Sequence, residues 1–126
     1  MKLKLIATIQ ETPYGWLNSK TKEFYQCGGR EYHTTFAVEY LREHNIRSTS
    51  DTVYELMAKC GWIRVAYSGD NFFEFAANDK SQWPVIKDFL YDHPELAKFK
   101  IHVWFEVEFD SYNFSYVEAL EYEFRE

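Results

Sequence analysis

The feature that most constrains this chain is a strand–turn–strand pattern near its middle. Residues 62–67 and 72–76 are rich in aromatic and apolar side chains, which favour strands. Between them, residues 68–71 read Ser-Gly-Asp-Asn, and Gly, Asp and Asn tolerate the positive φ angles that a tight reversal needs. The sequence therefore predicts a β-hairpin that any fold of this chain must accommodate.

Two strands and two helices are expected before the hairpin. We predict a strand over 2–10 that is ended by Pro13 and Gly15, and then a loop containing Trp16 and Asn18. A short strand over 24–27 and a helix over 31–45 follow. A second helix is expected to begin at a Ser50 cap, with Asp51 in its first turn, and to stop at Gly61.

Three further elements are expected after the hairpin. A helix capped by Asp79 or Ser81 is predicted to carry an apolar stripe of Trp83, Ile86, Phe89 and Leu90. Residues 100–110 alternate, which predicts a strand. Its expected core face carries Ile101, Val103, Phe105, Val107 and Phe109. Ser115 and Glu118 fit the capping-box pattern of a terminal helix. A final strand is the alternative, since residues 119–124 also alternate.

This order of elements predicts the fold class. Helices and strands are mixed without a run of βαβ units, which favours an α+β fold. We expect a mainly antiparallel sheet of about five strands with three to four helices packed on one face. A length of 126 residues leaves little room for two cores, so the interpretation is a single compact domain over 1–126. The aromatic content of 20% argues against disorder.

The charge of the chain is acidic and unevenly distributed. The net charge is −6, which disfavours direct binding to nucleic acid or to an anionic membrane. Residues 101–126 hold seven acidic side chains against one basic side chain. No apolar run is long enough for a membrane span, and the first twenty residues do not resemble a secretory signal. We therefore expect a cytoplasmic protein.

Motifs for cofactor, metal or nucleophile chemistry are absent from the sequence. The cysteines and histidines lack the close pairing of zinc ligands, and no phosphate-binding loop or nucleophile elbow is present. We expect no cofactor and no metal, and a non-enzymatic interaction protein rather than an enzyme. The alternative is a small enzyme or ligand-binding domain that uses Cys27 and His33.

The predicted strand over 100–110 carries an acidic row. Glu106, Glu108 and Asp110 would share one face, about 6.6–6.8 Å apart along the strand. That spacing is similar to the pitch of phosphates along nucleic acid, so the row is a hypothetical imitation of a nucleic-acid backbone. The alternatives are a cation site and a charged strand that only keeps the protein soluble.

Aromatic side chains accompany the acidic row. Trp104 and His102 are predicted to lie on the same outward face of the strand as the acidic residues. Tyr side chains follow in a polar segment. Tyr and Trp are favoured at protein interfaces. Burial of Trp104 beneath the terminal helix is the alternative. The candidate partner-binding residues are His102, Trp104, Glu106, Glu108, Asp110, Tyr112, Tyr116 and Glu118.

In general character the chain resembles the small, acidic, aromatic-rich proteins that bacteriophages and mobile elements encode. The stretches that give this likeness are residues 15–17, 24–27 and 60–65 and the acidic segment ending at Asp110. The resemblance implies a host-directed inhibitor in the host-cell cytoplasm, for example an anti-CRISPR or other anti-defence protein, whose partner is a nucleic-acid-binding host protein. A homo-oligomeric structural module is a further alternative.

Overall fold

The computed structural model describes residues 12–47, 52–69 and 71–125. In these residues the strands are β1 Gly15–Asn18, β2 Phe24–Gln26, β3 Trp62–Ser68, β4 Phe72–Ala77, β5 Lys100–Phe105 and β6 Asp110–Phe114. The helices are α1 Arg30–Glu43, α2 Val53–Lys59, α3 Trp83–Asp92 and α4 Tyr116–Glu121, with 3₁₀ turns at Lys80–Gln82 and Pro94–Lys98. None of the described helices is long and apolar enough to cross a membrane.

The strands form a mixed six-stranded sheet in the order β2-β1-β3-β4-β5-β6. The pairs β1–β2, β3–β4 and β5–β6 are antiparallel, whereas β4 and β5 run parallel. The α+β class and the mainly antiparallel sheet are thus confirmed, with one strand more than expected. The chain divides into two compact units, Met1–Ile63 (unit 1) and Arg64–Glu126 (unit 2). The single domain over 1–126 stays a prediction.

Unit 1 contains a strand where the sequence predicted a loop. Trp16 lies in β1, which pairs with the expected strand at 24–26 in the register Gly15↔Gln26. A Cβ atom on Gly15 would lie 1.9 Å from the Tyr25 carbonyl oxygen, so glycine here allows the close approach of β2 and does not end a strand. The strand predicted over 2–10 lies outside the described residues.

The core of unit 1 is largely aromatic. Trp16 and Trp62 are each 1% exposed and share a cluster whose other buried members are Cys27, Phe36, Ala37, Leu41 and Met57. Helix α1 supplies three of these residues, at the spacing that predicted it. The two tryptophans anchor the core of this unit.

Helix α2 begins later than predicted. Its N-cap is Thr52, whose hydroxyl accepts from the Glu55 N–H while the Glu55 side chain returns to the Thr52 N–H. The predicted Ser50 cap is wrong, because this capping box already satisfies the first turn. Ser50 and Asp51 lie outside the described residues. The predicted stop is confirmed, since Gly61 follows the helix with a φ of 90°.

Unit 2 contains the predicted hairpin. Strands β3 and β4 pair from Arg64↔Ala76 to Ser68↔Phe72, and Asn71 adopts the positive φ, 74°, that its turn requires. The chain then crosses through α3 to β5, which lies parallel to β4. Alternate residues of these strands are buried, namely Val65, Phe73, Phe75, Ile101, Val103 and Phe105.

The remaining helices of unit 2 also follow their sequence signals. Asp79 caps the 3₁₀ turn that leads into α3, and Ser115 caps α4 in a capping box with Glu118. The terminal segment is therefore a helix over Tyr116–Glu121, and the alternative final strand is wrong. The Trp83 indole N–H donates to the Tyr122 carbonyl at 2.9 Å, which ties α3 to the segment after α4.

Candidate functional site

The predicted strand over 100–110 is interrupted by a reversal. Strand β5 ends at Phe105, and Phe105 pairs with Asp110, the first residue of β6. Residues 106–109, which we call the acidic tip, connect the two strands, and Phe109 turns the chain with a φ of 55°. The N–H groups of Glu106 and Val107 still donate to the carbonyls of Ala77, at the end of β4, and of Asn78, which follows it, at 2.9 and 2.8 Å. The acidic tip is therefore a hydrogen-bonded turn.

This reversal removes the geometry of the acidic row. Glu106, Glu108 and Asp110 do not lie at successive same-face positions of one strand, so the predicted backbone-like spacing is wrong. The apolar side chains between them change role as well. Val107 and Phe109 were expected on the core face but are 59% and 78% exposed.

Two of the three acids share an internal cation. The Lys80 ammonium lies 2.7 Å from an Asp110 oxygen and 3.8 Å from a Glu108 oxygen. The hydrogen bond to Asp110 raises the pKa of Lys80, as does the one to Tyr112. Lys80 therefore offsets part of the negative charge of this region, while Glu106 is half-buried and Glu108 is exposed.

Tyr112, Tyr116 and Glu118 have structural contacts. The Tyr112 ring is half-buried and lies parallel to Phe114 at 6.0 Å, on the buried side of the sheet. The Tyr116 hydroxyl donates to the Leu90 carbonyl at 2.5 Å, and burial raises the pKa of Tyr116. Glu118 closes the capping box, and its hydrogen bonds with Ser115 lower its pKa. Their predicted role in partner binding stays a prediction.

His102 and Trp104 lie on the other side of the sheet, which we call the polar face. This face carries Arg64 of β3, Glu74 of β4, His102 and Trp104 of β5, and Ser111 of β6. All but Ser111 are half-buried, and Ser111 is exposed. The structure thus separates the eight predicted residues into a polar-face pair, three acids at and beside the acidic tip, and three residues with structural contacts.

Sequence reasoning missed Glu74 and Ser111. The Nδ1 atom of His102 lies 3.5 Å from a Glu74 oxygen, and its Nε2 atom lies 2.6 Å from the Ser111 hydroxyl. Glu74 in turn lies 3.3 Å from the Arg64 guanidinium. Glu74 lies in a predicted strand, whereas no strand was predicted at Ser111, and only the register of β4, β5 and β6 brings both residues to His102.

The alternative site at Cys27 and His33 has a different environment. Both residues are 1% exposed, and the rings of Tyr14 and Trp16 meet the His33 ring edge-on at 4.4 and 5.6 Å. Burial raises the pKa of the Cys27 thiol to about 11. A nucleophilic cysteine needs a lowered pKa and access to solvent. This environment therefore argues against a nucleophilic role for Cys27.

The stretches that gave the phage-like character contain buried tryptophans and the acidic segment. Trp16 and Trp62 are buried core residues, and the acidic segment ends in the reversal described above. Among the described residues, no group of three or more His, Cys, Asp or Glu side chains is placed to hold a metal ion. No protein-family model, curated protein or solved structure matches this chain.

Proposed function

We propose that this protein is an interaction protein whose acidic tip binds a partner protein. The observation that carries this proposal is the exposure of Val107 and Phe109, at 59% and 78%, which alternate along the chain with the acidic residues Glu106, Glu108 and Asp110. Exposed apolar side chains that contact a partner lose their contact with water, and an aromatic anchor supplies much of the affinity of many interfaces.

The chemistry of the tip indicates the surface that it fits. An apolar pocket with a basic rim would accept Phe109 and approach Glu108. Lys80 offsets part of the local negative charge, so we expect the aromatic anchor to dominate affinity. The remaining charge is expected to act mainly on the association rate.

The partner class that we propose is a nucleic-acid-binding host protein, since such proteins carry basic grooves. This part of the proposal rests on the resemblance to phage-encoded proteins and on the acidic charge of residues 101–126. It does not rest on imitation of phosphate spacing. A second copy of the chain is the alternative occupant, and light scattering of the purified protein detects it.

The test compares a variant that alters the acidic tip with a control variant that removes an exposed aromatic side chain on α3. The double variant Val107→Thr/Phe109→Ser removes the apolar tip, whereas Tyr91→Ser removes a side chain that is 76% exposed on α3. Each variant is immobilised and used to capture proteins from a lysate of the native host, with quantification by mass spectrometry. We expect one or more host proteins to be retained by the wild type and by Tyr91→Ser, and reduced at least about tenfold by the double variant.

Capture of the same proteins in the same amounts by the wild type and the double variant would show that the tip does not bind the partner. Glu108→Lys supplies a further measurement, since it reverses an exposed charge at the tip. With a purified partner we expect it to slow association severalfold, an effect that disappears at high salt.

A further inference from the structure

A row of four side chains crosses the polar face of unit 2. Arg64, Glu74, His102 and Ser111 come from β3, β4, β5 and β6 respectively. The parallel register pairs Glu74 with His102, and the Ser111 hydroxyl lies 2.6 Å from His102 Nε2. A serine, a histidine and a carboxylate thus stand in series, with the histidine in the middle.

The neighbours of His102 favour one tautomer of its neutral imidazole. One Glu74 oxygen lies 3.5 Å from Nδ1, and the other lies 3.3 Å from the Arg64 guanidinium. A carboxylate only accepts hydrogen bonds, so Nδ1 carries the proton in the neutral imidazole. Nε2 is then the acceptor, and the Ser111 hydroxyl donates to it. This is the arrangement in which an imidazole activates a serine.

We propose that Ser111 is a nucleophile for activated carboxylic esters, with His102 as its general base and Glu74 as a positioning residue. The bond from Ser111 Oγ to the ester carbonyl carbon forms as the hydroxyl proton moves to His102 Nε2. The bond from that carbon to the leaving oxygen then breaks, and the leaving oxygen takes the proton from His102. A water molecule then bonds to the acyl carbon as it gives a proton to His102 Nε2. The bond from that carbon to Ser111 Oγ breaks, and Oγ takes the proton from His102, which releases the acid and restores Ser111.

The surroundings of Ser111 indicate an aryl ester as substrate. Trp104 is the register partner of Ser111 on the same face, so its indole offers a surface for an aromatic group. Asn113 lies two residues along β6, is exposed and faces the same side, opposite His102. Its side-chain amide supplies a hydrogen-bond donor for the oxyanion that forms at the carbonyl.

The test uses p-nitrophenyl acetate as the probe, with the modified residue located by peptide mass spectrometry. We expect acetylation of Ser111 in the folded wild type and its loss in Ser111→Ala. Ser68→Ala is the matched control, because Ser68 is an exposed strand serine whose register partner is Phe72. A fluorophosphonate is the second probe, in case the acetyl group hydrolyses before it accumulates. Its phosphorus bonds to Ser111 Oγ as the phosphorus–fluorine bond breaks and hydrogen fluoride leaves.

Two further variants test the roles of His102 and Glu74. His102→Gln is expected to slow modification of Ser111 about 100-fold or more, and Glu74→Gln about tenfold. A purely structural role for Glu74 would leave the His102 tautomer unchanged. We instead expect the ¹⁵N NMR shifts of the His102 ring to show loss of the Nδ1–H form in Glu74→Gln, at an unchanged melting temperature.

Either of two results overturns this proposal: neither probe modifies Ser111, or Ser111 and Ser68 react at the same rate. The inference goes beyond the proposed function and is separable from it. Val107→Thr/Phe109→Ser is expected to lose the partner and keep the reactive serine, whereas Ser111→Ala is expected to lose the reactive serine and keep the partner.

Discussion

The two units place a histidine and a potential nucleophile in opposite environments. In unit 1, His33 is 1% exposed and packs against Tyr14 and Trp16, and Cys27 is equally buried. In unit 2, the side chain of His102 is 25% exposed and lies between Glu74 and the exposed Ser111. Burial among rings favours neutral, unreactive groups, whereas a polar, hydrated face leaves a nucleophile accessible. Environment therefore separates the two candidates more clearly than residue type does.

The largest expected effect concerns the stability of the two histidine sites. His33→Ala leaves a cavity beside Tyr14 and Trp16, so we expect it to lower the free energy of unfolding by about 2–4 kcal/mol. His102→Ala removes a half-buried polar side chain and is expected to cost about 1 kcal/mol or less. Urea denaturation followed by fluorescence measures both.

Tyr32→Ala is the control for the first variant, because Tyr32 also lies on α1 but is 47% exposed. It is expected to change the free energy of unfolding by less than about 1 kcal/mol. Equal destabilisation by His33→Ala and His102→Ala would contradict the assignment of His33 to the core of unit 1.

A smaller effect is expected from the titration of Cys27. Burial raises its pKa from 9.0 in the unfolded chain to about 11. Between these pH values the folded state holds the proton more tightly, so the free energy of unfolding falls as the pH rises through this window. We expect the contribution of Cys27 to reach about 2 kcal/mol. Urea denaturation between pH 8 and 11 under reducing conditions measures it.

Cys27→Ala is expected to flatten this pH dependence, whatever its effect at pH 8. Cys60→Ala is the matched control, since Cys60 is only half-buried and its pKa is raised less strongly. Tyr25, whose pKa is raised to about 12, titrates at higher pH and is common to all three proteins. An identical slope in the wild type and Cys27→Ala would show that the thiol ionises equally well in the folded and unfolded states.

Local signals in the sequence predicted much of the fold. The hairpin around residues 68–71 and the capping box at Ser115 are each encoded within a few residues, and both are confirmed. Strand β1 was missed because Gly15 resembles a strand breaker, whereas its missing side chain is what admits the Tyr25 carbonyl. Glycine is needed at position 15 because β2 approaches closely there. The hydrophobic pattern of a single segment carries no information about such a contact between strands.

The candidate site was predicted less completely for the same physical reason. Alternation from Ile101 to Phe109 continues through a reversal, because an exposed tip with apolar side chains has the same pattern as a buried strand face. His102 was found from its parity on β5. Glu74 and Ser111 reach it only through the register of three strands, and register depends on contacts far apart in the chain.

The smallest expected effect concerns the helix N-caps, which both units contain. Thr52 in unit 1 and Ser115 in unit 2 each cap a helix, and each hydroxyl accepts from the N3 N–H at 3.2 Å. Replacing either by Ala is expected to cost about 1 kcal/mol. The reciprocal bond is shorter in unit 2, at 2.9 Å from the Ser115 N–H to Glu118 against 3.4 Å from the Thr52 N–H to Glu55. Alanine keeps this backbone bond, but it removes the hydrogen bond of the Ser115 side chain that helps to lower the pKa of Glu118. Ser115→Ala should therefore cost slightly more than Thr52→Ala.

The rates of amide hydrogen exchange at Glu55 and Glu118 measure the stability of each cap in its own helix. Ser68→Ala is the control, because Ser68 lies in neither helix. The low pKa of Glu118 means that its carboxylate favours the folded state above pH 4.5 and loses this effect as the pH falls through the folded value. The excess cost of Ser115→Ala should accordingly shrink in acid. If Ser115→Ala costs more than Thr52→Ala by the same amount at neutral and acidic pH, the difference arises from the packing of α4. It would then not arise from the carboxylate that completes the capping box.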